Sequence, residues 1–162
     1  GDVNFDNQIN IVDIVIMVNF ILGVTQPTNE EFIVSDINQD GQLNIMDLIE
    51  NISTILDTSS NNLPLPLTQK IGIAQKNKTI KIHQDAALGG IEIHFDKNCN
   101  ILSSVIDKNW VIRNYKNKII LYSSDLKSMK KDFSITFDKY SKINKIIISD
   151  QNGASINSRL YK

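Results

Sequence analysis

The chain has 162 residues, 41% of them apolar, with two histidines, one cysteine and a net charge of −1. That length allows one domain or two small ones with ordinary cores. It contains no run of about 20 apolar residues long enough to span a bilayer, and the lone Cys99 excludes an internal disulfide. The near-neutral total conceals an asymmetry: residues 1–68 carry ten acids and no Lys or Arg, giving −10, whereas residues 69–162 carry seventeen basic residues against eight acids, giving +9. Two modules are expected from that division. Fields of opposite sign favour docking and steer encounters.

From the first residues, Asp2-Val3-Asn4-Phe5-Asp6-Asn7-Gln8-Ile9-Asn10-Ile11-Val12-Asp13 forms a pattern that returns 34 residues later as Asp36-Ile37-Asn38-Gln39-Asp40-Gly41-Gln42-Leu43-Asn44-Ile45-Met46-Asp47. A 12-residue loop that wraps Ca²⁺ supplies oxygens from positions 1, 3, 5, 7, 9 and 12. Asp2, Asn4, Asp6, Gln8 (through its carbonyl), Asn10 (through water) and Asp13 occupy those positions in the first copy. Asp36, Asn38, Asp40, Gln42, Asn44 and Asp47 occupy them in the second, so two ions are expected. Position 6 needs a positive φ, which Gly41 adopts freely and Asn7 tolerates. Ile9 and Leu43, at position 8, are expected to pair as short strands. Each loop carries three carboxylates, whose mutual repulsion makes the cation part of folding as well as a ligand.

Each loop runs into a helical pattern. The first helix is predicted over Ile11–Leu22, stopped by Gly23, and is apolar almost all round, which calls for burial on more than one side. The second, about Ile45–Leu56, is amphipathic, with Leu48, Ile49, Ile52, Ile55 and Leu56 against Glu50, Asn51 and Ser53. A module of under 60 residues has little to cover the remaining apolar surface. Either residues 24–35, with Phe32, Ile33 and Val34, fold over it, or it is an interaction face.

Residues 1–57 resemble a dockerin, the module built from two loop-helix halves of an EF-hand without entering helices. The residues that carry the resemblance are Gly1-Asp2-Val3-Asn4-Phe5-Asp6 with Asp13, and Ser35-Asp36-Ile37-Asn38-Gln39-Asp40-Gly41 with Asp47. The resemblance, to type I-like dockerins, implies binding to a cohesin domain through loop positions 10 and 11 and the helix that follows. Here those positions are Ile11 and Val12 in one repeat and Ile45 and Met46 in the other, with Val18, Asn19, Ile52 and Ser53 on the helices. Many cellulosomal dockerins carry polar pairs at positions 10 and 11, so the apolar pairs here depart from that pattern. The resemblance also implies an extracellular or cell-surface protein of a bacterium or archaeon, a setting that suits oxygen-only calcium sites. The chain is expected to be part of something longer.

Residues 58–68, with Leu63-Pro64-Leu65-Pro66-Leu67, read as a stiff linker. Beyond it the period changes to two. Strands are predicted at Lys70–Gln75, Lys78–Gln84, Gly90–Asp96, Asn100–Ser104, Trp110–Asn114, Lys118–Tyr122, Phe133–Phe137, Lys145–Ser149 and Ser155–Leu160. Nine short strands with turn residues between them predict an all-β sandwich over residues 69–162, immunoglobulin-like or jelly-roll. The stretches 88–96, 133–137 and 145–153 are similar to those of cohesin-like and carbohydrate-module sandwiches.

No catalytic constellation emerges. His83 and His94 lack a second ligand at metal spacing, Cys99 lacks a general base, and no phosphate loop or nucleophile elbow is present. The lysines are spread among strands and turns rather than interleaved with stacking aromatics, which argues against nucleic acid. The chain therefore reads as a calcium-dependent, non-enzymatic assembly module. Its cohesin-like partner is its own sandwich, that of a neighbouring copy in a head-to-tail contact, or a separate scaffold. The alternative is a carbohydrate-binding or surface-anchoring module, with Trp110, Tyr115 and Tyr122 as platforms if they are exposed and the dockerin as a calcium-stabilised companion; Trp110 reads equally as a core residue.

Overall fold

The computed structural model describes residues 1–56, 71–84, 88–125, 132–156 and 158–161. The predicted linker at 58–68 lies outside the described residues. The first 56 residues form three helices: α1 (Ile11–Leu22), α2 (Asn29–Ser35) and α3 (Ile45–Ile55). α1 and α3 start alike. Asn10 and Asn44 are their N-caps at φ −151°, each accepting from the amide two residues on, while Asp13 and Asp47 reach back to the cap amide. Gly23 ends α1 at φ 76°. α2 was not expected from periodicity, but Thr28 and Glu31 form a capping box around its start.

Among the described residues nine strands follow: β1 (Ile71–Lys76), β2 (Thr79–Gln84), β3 (Leu88–Phe95), β4 (Ile101–Val105), β5 (Trp110–Tyr115), β6 (Lys118–Ser123), β7 (Asp132–Phe137), β8 (Ile143–Asp150) and β9 (Ser158–Tyr161). Each predicted strand is present, with shifted ends. One sheet has the order β4-β7-β2-β1-β9 and the other β5-β6-β3-β8. All pairings are antiparallel except β1 with β9, which is parallel. The all-β sandwich expected from the alternation is the observed second half.

The core between the sheets holds Ile73, Ile80, Ile91, Ile93, Phe95, Ile119, Leu121, Ile135 and Phe137. Phe95 and Phe137 meet edge-on at 5.2 Å between ring centres. Trp110 is buried in the same core, 5.6 Å from the Phe133 ring, and Tyr122 is buried beneath the helices. Neither is the exposed sugar platform that the alternative reading requires. Cys99 is also buried in this core, and burial pushes its thiol up to about 11, so it stays protonated at neutral pH.

A second core joins the two halves. Ile14, Met17, Val18, Ile21, Ile45, Leu48, Ile49 and Ile52 of the helices pack with Ile120 and Tyr122 of β6, flanked by Val111, Tyr115 and Ile147. The sheet β5-β6-β3-β8 is therefore apolar on both faces, one against the opposite sheet and the other against α1 and α3. α1 is buried on the sides that meet α3 and β6, while Ile11, Val12 and Val15 are exposed. One expectation changes: Ile9 and Leu43 do not form paired strands, since both lie in loop backbone with Ile9 exposed.

Candidate calcium loops and docking face

The two loops share one wiring. In the first, Asp13 Oδ1 accepts from the amides of Val3 at 2.8 Å and Asn4 at 3.2 Å, and Oδ2 accepts from Asn10 at 2.9 Å. In the second, Asp47 Oδ1 accepts from Ile37 at 3.0 Å and Asn38 at 3.4 Å, and Oδ2 accepts from Asn44 at 2.9 Å. Asp2 accepts from Asn7 as Asp36 does from Gly41, and Asp6 from Gln8 as Asp40 does from Gln42. Each loop thus folds its carboxylates inward around its own amides.

Position 6 has the expected positive φ, 66° at Asn7 and 78° at Gly41. Position 4 does as well, at Phe5 (59°) and Gln39 (57°), which residue type did not indicate. Two left-handed residues per loop coil the chain tightly enough that the position 1, 5 and 12 carboxylates all accept from amides of their own loop. Such non-glycine conformations persist only where their surroundings fix them.

Among the described residues no three His, Cys, Asp or Glu side chains stand as a ready metal cluster. The donor chemistry nonetheless suits a hard cation, because three aspartates, two asparagines and a carbonyl per loop offer only oxygen. In the second loop the neighbouring carboxylates act on one another. Burial pushes the Asp47 carboxyl up to about 6, amide donors from Asn44 and Asn38 oppose the rise, and the charges of Asp36 and Asp40 add to it.

The docking face is built from small and polar features as well as apolar ones. A Cβ on Gly90 of β3 would lie 2.6 Å from Ile45 Cγ1, so only glycine admits α3 this closely. Gly153, in the turn after β8, is equally near: a Cβ there would come within 2.2 Å of Glu50 Cγ. Glu92, next on the same face of β3, is 2% exposed and accepts from the Ile45 amide at 3.3 Å and from His94 Nε2. That amide is one of the otherwise unpaired donors at the start of α3. At the other end of the contact Lys118 Nζ donates to the Ile21 carbonyl at 2.9 Å, near the end of α1. Gly1 N donates to the Val34 carbonyl, and Asn51 Nδ2 donates to the Gly1 carbonyl, tying residue 1 to α2 and α3.

Among the described residues the opposite charges of the halves do not meet as pairs: His83 pairs with Asp132 and His94 with Glu92, both between residues of the sandwich. Glu50 lies where burial, Asp47 and Asp150 all raise its carboxyl. The contact is apolar apart from the hydrogen bonds that Glu92 and Lys118 make to helix backbone.

The family model for the dockerin type I domain matches residues 1–56. The helical half is a type I dockerin domain. Dockerins are non-catalytic, calcium-binding modules that dock onto cohesins, and they belong to extracellular or cell-surface proteins. No curated protein matches the chain. Among solved structures, it is similar to a non-cellulosomal cohesin from the hyperthermophilic archaeon Archaeoglobus fulgidus, at 14% identity and TM-score 0.37 over 57% of this chain and 86% of that one. It is also similar to the chitin-binding domain of a chitinase from Pyrococcus furiosus, at 11% identity and TM-score 0.39 over 57% of this chain and all of that one. No helix among the described residues is long and apolar enough to cross a membrane.

The residues expected to read a partner divide between two environments. Ile45, Ile52, Ser53 and Val18 are buried, with Ile45 against the sandwich, and Met46 and Asn19 are half-buried. Ile11 and Val12 are exposed, at 66% and 49%. Sequence reasoning missed the sandwich side of the contact, namely Gly90, Glu92, Lys118, Ile120 and Tyr122. The signal was in β6, where Ile119-Ile120-Leu121-Tyr122 breaks the apolar-polar alternation of a strand with one wet face.

Proposed function

We propose that this chain is a calcium-dependent assembly module of an extracellular protein whose dockerin is docked onto its own sandwich. Asp2, Asn4, Asp6, Gln8, Asn10 and Asp13 hold one ion, and Asp36, Asn38, Asp40, Gln42, Asn44 and Asp47 hold the other. The ions fix the loops and so the helices that the loops cap. The observation that carries the reading is the shared core in which Ile45 and Ile49 meet Gly90 while Ile120 and Tyr122 lie beneath the helices. An apolar contact organised in advance by metal costs less ordering entropy on formation.

In this arrangement the dockerin serves as a brace that makes one rigid unit of two modules. The first repeat keeps Ile11, Val12 and Val15 at the surface for an outside partner. The test is light scattering of the full chain with Val12→Asp and, separately, Ile45→Asp. A self-docked module stays monomeric in calcium and loses compactness only with Ile45→Asp. Calcium-dependent dimers or polymers that Ile45→Asp dissolves would instead place the dockerin on a neighbouring copy.

A further inference from the structure

The loops share their wiring but not their surroundings. In the second repeat two consecutive amides at the start of α3 are divided between the loop and the sandwich: Asn44 donates to Asp47, the last residue of the loop, and Ile45 donates to Glu92 of β3. Position by position, Asp13 is as fully buried as Asp47, but Asp2 and Asn10 are half-buried where Asp36 and Asn44 are buried, and Ile11 is 66% exposed where Ile45 is fully buried. Phe5, Ile9 and Val12 of the first repeat are at the surface as well. A change in the second loop that moves Asp47 must move the Asn44 amide. The Ile45 amide, one residue on, then leaves Glu92, and the Ile45 side chain leaves its seat over Gly90. The equivalent movement in the first loop, from the buried Asp13 through the Asn10 amide, displaces Ile11 and Val12, which face water rather than the sandwich.

We propose that the second calcium loop is coupled to docking and the first is not: the sandwich face at Gly90 and Glu92 tightens cation binding by Asp36–Asp47, and the cation at that loop holds the helices on the sheet. The inference rests on the calcium reading above. Coupling of this kind is reciprocal, so disturbing the seat weakens the ion by the same factor that losing the ion weakens the seat. The two sites of one dockerin thereby acquire different affinities from a neighbour that touches only one of them.

Calorimetric calcium titration of the full chain tests this, using Asp2→Ala with Asp6→Ala to leave only the second loop, and Asp36→Ala with Asp40→Ala to leave only the first. Gly90→Val is then added to each. With the second loop alone, Gly90→Val is expected to weaken calcium at least about five-fold, the lower end of ordinary coupling. With the first loop alone, it leaves the affinity unchanged. Emission from Trp110, buried in the inter-sheet core, reports that the sandwich is folded in every chain, and Glu92→Gln replaces Gly90→Val if that signal is lost. Equal weakening of both loops, or of neither, overturns the coupling while leaving calcium binding intact. Absence of calcium heat in the unaltered chain overturns the calcium reading and the coupling with it.

Discussion

The two repeats of the dockerin were written in nearly the same letters, and their caps superpose to within a degree in backbone angle: φ −151° and ψ −172° at Asn10, φ −151° and ψ −171° at Asn44. Yet Ile11 is 66% exposed and its counterpart Ile45 is fully buried. Val15 and Ile49, one turn later, differ in the same way. Local code sets the loop, the cap and the helix start. What covers the first turn of each helix is decided by the sheet, which both helices pack against but which covers Ile45 at the start of α3 and leaves Ile11 at the start of α1 exposed.

The largest way to break the comparison removes what both repeats share. Chelation is expected to loosen residues 1–56 as a unit, with loss of helical circular dichroism, while Trp110 emission from the sandwich core persists; an unchanged spectrum would deny the ions a structural role. The next separates the repeats. Ile45→Ala should cost about 2 to 5 kcal/mol in denaturant unfolding with calcium present, because it leaves a cavity at a filled contact. Ile11→Ala, the same change at the matching position, should stay within about 0.5 kcal/mol. Similar costs for both would mean that the first repeat is also covered.

A smaller effect sharpens the polar part of the contact. Glu92→Gln keeps an acceptor for the Ile45 amide but removes its charge from the start of α3, and should cost about 1 kcal/mol by the same assay. The smallest lies in pH. In the folded, metal-free loop the Asp47 carboxyl is raised from 3.8 to about 6, first by burial. The fold therefore favours its protonated form, so that contribution to stability is present below about 4 and is lost as pH rises through about 6. In chelator the melting temperature of the helical half should fall over that interval. Saturating calcium, which replaces the proton with a cation, should abolish the fall.

Much of this was legible in the residues. The 34-residue repeat marked both loop segments and the helix that follows each, Gly23 marked the end of α1, and period-two alternation marked the nine strands found among the described residues. α2 escaped because its seven residues are too few for a helical period, although the Thr28 to Glu31 box marks its start. The positive φ at Phe5 and Gln39 has no signature in residue type, since closure of the loop imposes it. The docking face escaped for a different reason. Gly90-Ile91-Glu92-Ile93-His94 alternates cleanly, which reads as one dry face and one wet face, but glycine and a carboxylate are what a close helix start requires. The charge asymmetry pointed to docking between the halves, whereas the contact is made by apolar side chains and two backbone groups.

The central claim is that the dockerin lies on the sheet of its own chain through the second repeat. Methyl nuclear Overhauser spectroscopy on full chains, with isotope labels divided between two mixed populations, tests it most directly. In calcium, the account predicts a cross-peak from the Ile45 δ1 methyl to the Gly90 α-protons within a single labelled chain, unchanged on dilution. A cross-peak seen only between differently labelled chains, or none at all, would contradict it.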